Sequence, residues 1–232
     1  MTRANVVADL IRARREGRAP YLVGITGAVA AGKSTLAAEL AEALAADGLR
    51  VEIVATDGFL MDNAALTARG ALNRKGFPES YDVAAMRAAL ATIRTGPADF
   101  PGYSHIRYDI DPALSRRLAP PDVLIVEGLS LHAGAAALGL DLLIYLDADE
   151  AVLEGWFSER FVGLWRAAEH DPTSFYARFR HMTEPETRAF AVQVWRAINL
   201  PNLREHIAGG REVADLVVRK GADHAILDVT SR

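Results

Sequence analysis

The sequence predicts an α/β fold, a mostly parallel sheet with helices on both faces. Three observations carry that expectation. Short, almost continuously apolar runs stand at 21–26, 50–56, 122–127 and 141–146, with the length and composition of strands buried on both sides. Amphipathic helical patterns lie between and after them, the alternation that builds a parallel sheet. A glycine-rich turn joins the first apolar run to a long helical pattern, the strand–loop–helix order of a phosphate-binding unit.

In chain order, residues 3–16 form a helix with Val6, Val7, Leu10 and Ile11 on one face and Gly17 as its stop. Strand 21–26 leads into the turn, after which Leu36, Leu40, Ala43 and Leu44 keep helical spacing. Strand 50–56 is followed by 57–82, rich in Asp, Asn, Arg and Gly, which reads as an excursion near the sheet's C-terminal edge. A helix at 83–94 places Val83, Met86, Leu90 and Ile93 on one stripe. Strands 122–127 and 141–146 come next, then helices at 149–166 and 184–198, the second with Ala191, Val194, Trp195 and Ile198 in register. Two short strands are expected at 213–219 and 224–229. No repeat, low-complexity stretch or linker divides the chain. A single domain over 1–232 is therefore expected, with an N-terminal helix in 1–19 and a helical lid or substrate region over about 149–210.

Residues 27–34, Gly-Ala-Val-Ala-Ala-Gly-Lys-Ser, match the pattern G-x-x-x-x-G-K-[ST] at every fixed position. Gly27 and Gly32 let the backbone curl so that successive N–H groups point inward as an anion nest. Lys33 adds a mobile positive charge for the β- and γ-phosphates, and the Ser34 hydroxyl can ligate Mg²⁺. The helix N-terminus that follows faces the same phosphates. The fold is therefore expected to be of the P-loop NTPase type. Gly27, Ala28, Val29, Ala30, Ala31, Gly32, Lys33, Ser34 and Thr35 are its expected nucleotide-binding residues.

Two carboxylates stand where such a fold needs them. Asp57 directly follows the second strand, and ligands of open α/β sheets bind beyond the strands' carboxyl ends. An acid there can take the proton of an attacking hydroxyl; a turn Asp capping the next segment is the other reading. Glu127 ends the strand Val123-Leu-Ile-Val126, where a carboxylate can act on the Mg²⁺ shell, or can be a simple strand-end charge. Segment 103–109, Tyr-Ser-His-Ile-Arg-Tyr-Asp, gathers two phenols, an imidazole and a guanidinium able to hydrogen-bond a small polar substrate, although a His in a strand is often structural. Arg160 and Arg166 lie on a helix that could close over the triphosphate and stabilise charge in transfer, or lie on a solvated face. The remaining histidines lack metal-ligand spacing, so Mg²⁺ carried by ATP is the one metal expected.

Composition narrows the classes. Half of the 232 residues are hydrophobic and a quarter charged, ordinary for a globular protein. A formal charge of −4 leaves no global basic excess for nucleic acid. Cysteine is absent, which excludes disulfides, thiolate catalysis and Cys-ligated zinc and fits a cytoplasmic protein. No secretory leader is expected in the arginine-bearing N-terminus, and no run approaches the length of a membrane span.

Taken together, Gly27–Thr35, Thr56-Asp-Gly-Phe-Leu60, Lys75-Gly-Phe-Pro-Glu-Ser-Tyr-Asp82, Tyr103–Asp109, Val126-Glu-Gly-Leu129, Arg160-Phe161 and Asn199 with Asn202 resemble the prokaryotic type I pantothenate kinases. These are relatives of the uridine kinase and phosphoribulokinase group. The resemblance spans most of residues 20–230. It implies ATP-dependent phosphorylation of the primary hydroxyl of pantothenate, the first step towards coenzyme A. It implies Asp57 as base, Lys33 on the phosphates, Ser34 and Glu127 around Mg²⁺, and Arg160 on the transferring group. It places Tyr103, His105, Tyr108 and Asn199 in the pantothenate pocket and implies a homodimer. Four positions depart from it: Phe157 stands for a pocket tyrosine, Ser130 for Asn after Glu-Gly-Leu, and Leu200-Pro201 for Trp-Leu.

Phe157 motivates an alternative, a related kinase acting on another small alcohol such as a nucleoside or a sugar. A GTPase-like switch lacks its N/T-K-x-D guanine-reading motif here, and the intact acids argue against a catalytically silent regulator.

Overall fold

The computed structural model describes residues 3–134 and 138–232. In chain order its principal elements are α1 (Arg3–Arg15), β1 (Tyr21–Gly27), α2 (Lys33–Ala45), β2 (Val51–Ala55), α3 (Asn63–Ala68) and α4 (Val83–Thr92). Then come β3 (Ala98–Phe100), β4 (Tyr103–Ser104), β5 (Asp109–Ile110), β6 (Arg116–Leu118), β7 (Val123–Glu127) and β8 (Leu142–Asp147). They are followed by α5 (Glu150–Ala167), α6 (Glu184–Val194), β9 (Leu216–Lys220) and β10 (Ile226–Ser231).

Among the described residues the main sheet runs β10-β9-β8-β1-β7-β2. Every pairing in it is parallel except that of β10 with β9. All seven residues of β1 are buried, as a central strand covered on both faces must be. The carboxyl ends of β1, β2 and β7 lie side by side, because Ile25 and Ala55 both register with Glu127. One sheet edge thus brings the loop after Gly27, the turn after Ala55 and the Glu127 side chain together.

Several details differ from the sequence reading. The buried face of α1 is Ala4, Val7, Ala8 and Ile11, whereas Val6 is exposed. Val83 is likewise exposed, while Met86, Leu90 and Ile93 enter the core. Segment 57–82 leaves the sheet as read, and it is built of α3 and three 3-10 turns. Residues Gly210–Val213 are helical, and the strand expected from 213 begins only at Leu216. Asp215 explains the offset: its carboxylate accepts the Leu143 N–H at 2.7 Å and so starts the strand. The helix read over 184–198 ends as α-helix at Val194. It continues as two π-helical segments, Trp195–Asn199 and Leu203–Ile207, separated by one short turn at Leu200–Asn202.

Candidate active site

The loop after β1 has the backbone its glycines require. Gly27 (φ +147°) passes so close to β8 that a Cβ would sit 2.5 Å from the Leu146 carbonyl oxygen. Gly32 (φ +88°) is the left-handed residue from which α2 starts. Lys33 opens that helix and is buried. Its ammonium donates to the carbonyls of Ala28 (2.8 Å) and Gly27 (3.2 Å), folding back over the loop. Burial holds its pKa below the ordinary lysine range, against the pull of the Glu127 and Asp57 carboxylates. Ser34 Oγ donates to Glu127 Oε1 at 2.7 Å, so the expected metal pair is in direct contact.

Asp57 occupies the 3-10 turn Thr56–Phe59 that β2 runs into. Its Oδ2 lies 3.8 Å from His105 Nε2. Gly58 and Gly128 admit no side chain: a Cβ at Gly58 would strike the Pro101 carbonyl, and one at Gly128 would strike Thr56 Oγ1. The turn bearing Asp57 is therefore wedged between the 101–105 segment and the end of β7. A cavity of about 160 Å³ opens beside Asp57, with Gly58, Pro101, Tyr103 and His105 among its lining residues.

The 103–109 segment is a hairpin, β4 paired with β5, and His105 stands in its turn rather than in a strand. The Tyr103 ring meets His105 edge-on at 5.2 Å and Tyr108 at 6.4 Å. Tyr108 has φ +56° and packs on Phe175 at 4.6 Å. Burial raises both phenols, Tyr108 to about 12. It also lowers the His105 imidazole, with Asp57 opposing. The hairpin is held from beneath by Lys75. Its buried ammonium donates to Tyr108 O (2.8 Å) and Asn63 Oδ1 (2.7 Å), and lies 4.9 Å from the Tyr103 and Tyr108 ring centres.

The helical region shows which arginine is uncommitted. Arg166 forms a forked pair with Glu184, and Arg188, Arg196 and Arg204 pair with Glu159, Glu154 and Glu150. Arg160 makes no ion pair or hydrogen bond among the described residues, yet its charge is felt at Lys33, His105 and Tyr176. Asn199 ends the first π segment, half-buried, with no hydrogen bond to the 103–109 hairpin. Asn202 instead reaches the other wall, donating to Gly76 O at 2.9 Å.

The sequence reading missed a second cavity, about 80 Å³, behind the loop between Thr35, Glu39, Lys220 and His224. The His224 imidazole stacks on Trp156 at 4.2 Å and 18°. Lys220 Nζ lies 5.3 Å from the same indole and donates to Ala31 O at 3.3 Å. The cavity thus lies against the His224 imidazole, which the Trp156 indole backs. Nothing in the sequence signals it, because the strands that bring Lys220 and His224 to the loop begin nearly 200 residues after it.

Comparison with known proteins gives the family. The model of the phosphoribulokinase / uridine kinase family matches residues 22–157. The pantothenate kinase of Sorangium cellulosum is 46% identical over 97% of this chain and 77% of that protein. That of Leifsonia xyli is 42% identical over 98% and 74%. Among solved structures, a putative fructose transport system kinase from Silicibacter sp. TM1040 superposes with a TM-score of 0.72 at 28% identity, covering 92% of this chain and 95% of that one.

Proposed function

We propose a function from one premise: the chain belongs to the phosphoribulokinase / uridine kinase family and, within it, to the pantothenate kinases. It is an ATP-dependent kinase that phosphorylates the primary hydroxyl of pantothenate, the first step of coenzyme A synthesis. The observation that carries the reading is the convergence of the phosphate loop, Asp57 and Glu127 on one sheet edge, with a hairpin of polar aromatic residues facing Asp57.

The roles proposed here combine the resemblance with the placement of the loop, Asp57 and the hairpin. The loop from Gly27 to Thr35 cradles the triphosphate, and Lys33 exchanges its two carbonyl partners for phosphate oxygens. The cavity bounded by Lys220 and His224 takes the adenine. Asp57 accepts the proton of the acceptor hydroxyl as that oxygen bonds to the γ-phosphorus and ADP leaves. Arg160, with no acidic partner among the described residues, is available to the charge of the transferring group. Tyr103, His105, Tyr108 and Asn199 hold the acceptor. Ser34 and Glu127 offer hard oxygen donors in contact with each other, a set that fits Mg²⁺ arriving with the nucleotide. When bound, that ion would neutralise phosphate charge. Residence in the cytoplasm and a homodimeric state are part of the proposal. No described helix is long and apolar enough to cross a membrane, and light scattering on the purified chain reads the oligomer.

A specific observation favours a second reading. Phe157 packs among aromatics, 5.8 Å from Trp195 and 6.2 Å from Phe161, where the resemblance expects a tyrosine hydroxyl for the acceptor. A kinase of another small alcohol, a nucleoside or a sugar, would keep every group that handles phosphate and change this wall. Coupled ADP release with pantothenate, uridine and simple sugars separates the two. Pantothenate should be the fastest acceptor, and Asp57→Asn should lower its kcat by about 10²–10⁴-fold while ATP still binds. Indifference to pantothenate with turnover of another alcohol overturns the first reading; more than about a third of wild-type kcat in Asp57→Asn removes Asp57 as the base.

A further inference from the structure

Tyr81 stands in the Lys75–Asp82 segment but is not among the groups assigned to either substrate. Its backbone is fastened to the turn that carries Asp57. Met61 N–H donates to Ser80 O and Asp82 N–H to Phe59 O, both at 2.8 Å, and Leu60 forms a bridge with Tyr81 itself. The segment therefore lies along the exit of that turn. The phenol oxygen at the end of the side chain is shut off from solvent, with no bond of ordinary geometry to any described residue. A buried hydroxyl left without a partner is uncommon and costly. Alongside it are the Thr56 hydroxyl and the Asp57 carboxylate; burial first, and then the Asp57 charge, raises the phenol well above its ordinary pKa.

We infer that Tyr81 is a positioning residue: its hydroxyl turns to donate to the Asp57 carboxylate, holding one oxygen so that the other faces the acceptor hydroxyl. The inference rests on the reading of Asp57 as base. The groups that act on Asp57 from other elements are His105, Tyr103 and Tyr108 on the hairpin, Lys33 on α2 and Lys75 ahead of the 3-10 turn at 78–80. His105 lies on the open side, both lysines have other partners, and Tyr103 and Tyr108 belong to the hairpin across the cavity, so the Tyr81 phenol is the neutral donor carried by the segment fastened to the Asp57 turn itself. The Thr56 side chain next to them is pressed against Gly128.

The test is a double-mutant cycle on the full chain, with Tyr81→Phe, Asp57→Asn and the double variant, each assayed with the fastest acceptor of the panel above. Tyr81→Phe keeps the ring and its packing. It should lower kcat about tenfold, leave both KM values within twofold, and move the acidic limb of the kcat profile to higher pH. In the Asp57→Asn background the same change should have no further effect, because the carboxylate it positions is gone. An equal loss in both backgrounds means a packing role and overturns the proposal, as does a kcat above half of wild type in Tyr81→Phe. An Asp57→Asn variant that stays active is a separate outcome: it removes the base and this inference with it. Thermal unfolding of each variant, with midpoints within about 2 °C of wild type, keeps misfolding from imitating any of these results.

Discussion

Replacing Lys75 with methionine should unfasten the acceptor hairpin while leaving the phosphate loop intact. The side chain is 2% exposed, so its ammonium has only protein partners. It gives charged hydrogen bonds to Tyr108 O and Asn63 Oδ1, and Asp109 Oδ1 lies 3.5 Å away. Two charge-assisted bonds contribute roughly 3–6 kcal/mol before desolvation is counted. Against that stands the cost of burying a cation, visible in the direction of the Lys75 pKa, which burial lowers. Methionine keeps the length and recovers some contact with the two tyrosine rings, worth about 0.3–1.5 kcal/mol. It leaves the Asn63 amide oxygen unpaired and the Tyr108 carbonyl with the Asn63 Nδ2 donor alone. The net loss should be about 2–4 kcal/mol, which at a urea slope of about 2–3 kcal/mol/M moves the unfolding midpoint down by about 1 M. Because Tyr108 holds a left-handed backbone there, the loss should also reach the site, raising the acceptor KM at least tenfold with the ATP KM within about threefold. Equilibrium urea unfolding followed by tryptophan fluorescence, together with steady-state kinetics, reads both. A midpoint within 0.2 M of wild type, to the nearest ~10% of the slope, and an unchanged acceptor KM would refute the argument.

Lys33→Met removes the loop's cation and should depress kcat/KM for every acceptor by at least about 10²-fold; near-normal turnover would mean that the loop does not hold the transferring phosphate. Asn199→Ala should raise the acceptor KM roughly ten- to hundredfold with ATP unaffected, and equal changes for both substrates would move Asn199 out of the acceptor pocket. Burial lowers the pKa of His105 and of His132 below the ordinary 6.5. Between the folded and unfolded pKa values the unfolded chain binds more protons, so stability is full above about pH 6.5 and falls as the pH drops through that window. The gap between unfolding midpoints at pH 7.5 and 5.5 should narrow in His105→Gln; an unchanged gap would show that this imidazole takes its proton freely in the folded state.

The phosphate loop was legible because its chemistry is contiguous: the residues that bend the chain and those that meet the phosphates lie within eight positions. The parallel strands were legible for a related reason, since burial on both faces leaves a continuous apolar run. Asp57 and Glu127 could be placed because each ends such a run. The rest depended on contacts between distant segments. Lys75 is an ordinary lysine until the hairpin 28 residues later lays two rings and a carbonyl over it. Trp156, Lys220 and His224 meet only because β9 adds to the sheet beside β8. Arg160 and Arg166 looked equivalent on one helix, and the Glu184 side chain from α6 distinguishes them. A stripe counted at 3.6 residues per turn could not reveal the π segments, and it placed Val6 and Val83 inside when their neighbours filled those faces.

The two π segments let the helix after α6 carry added residues without losing its phase. An α-helix advances about 100° per residue, and a π turn absorbs one extra residue so that the residues on either side keep their bearing. Removing one residue from Trp195–Asn199 would let ordinary helix form there and leave Asn202 facing the Gly76 carbonyl. Only the residues inside the widened turn, Asn199 among them, would change direction. The segment thus takes up a change of length that a plain α-helix would pass on as a rotation of everything after it.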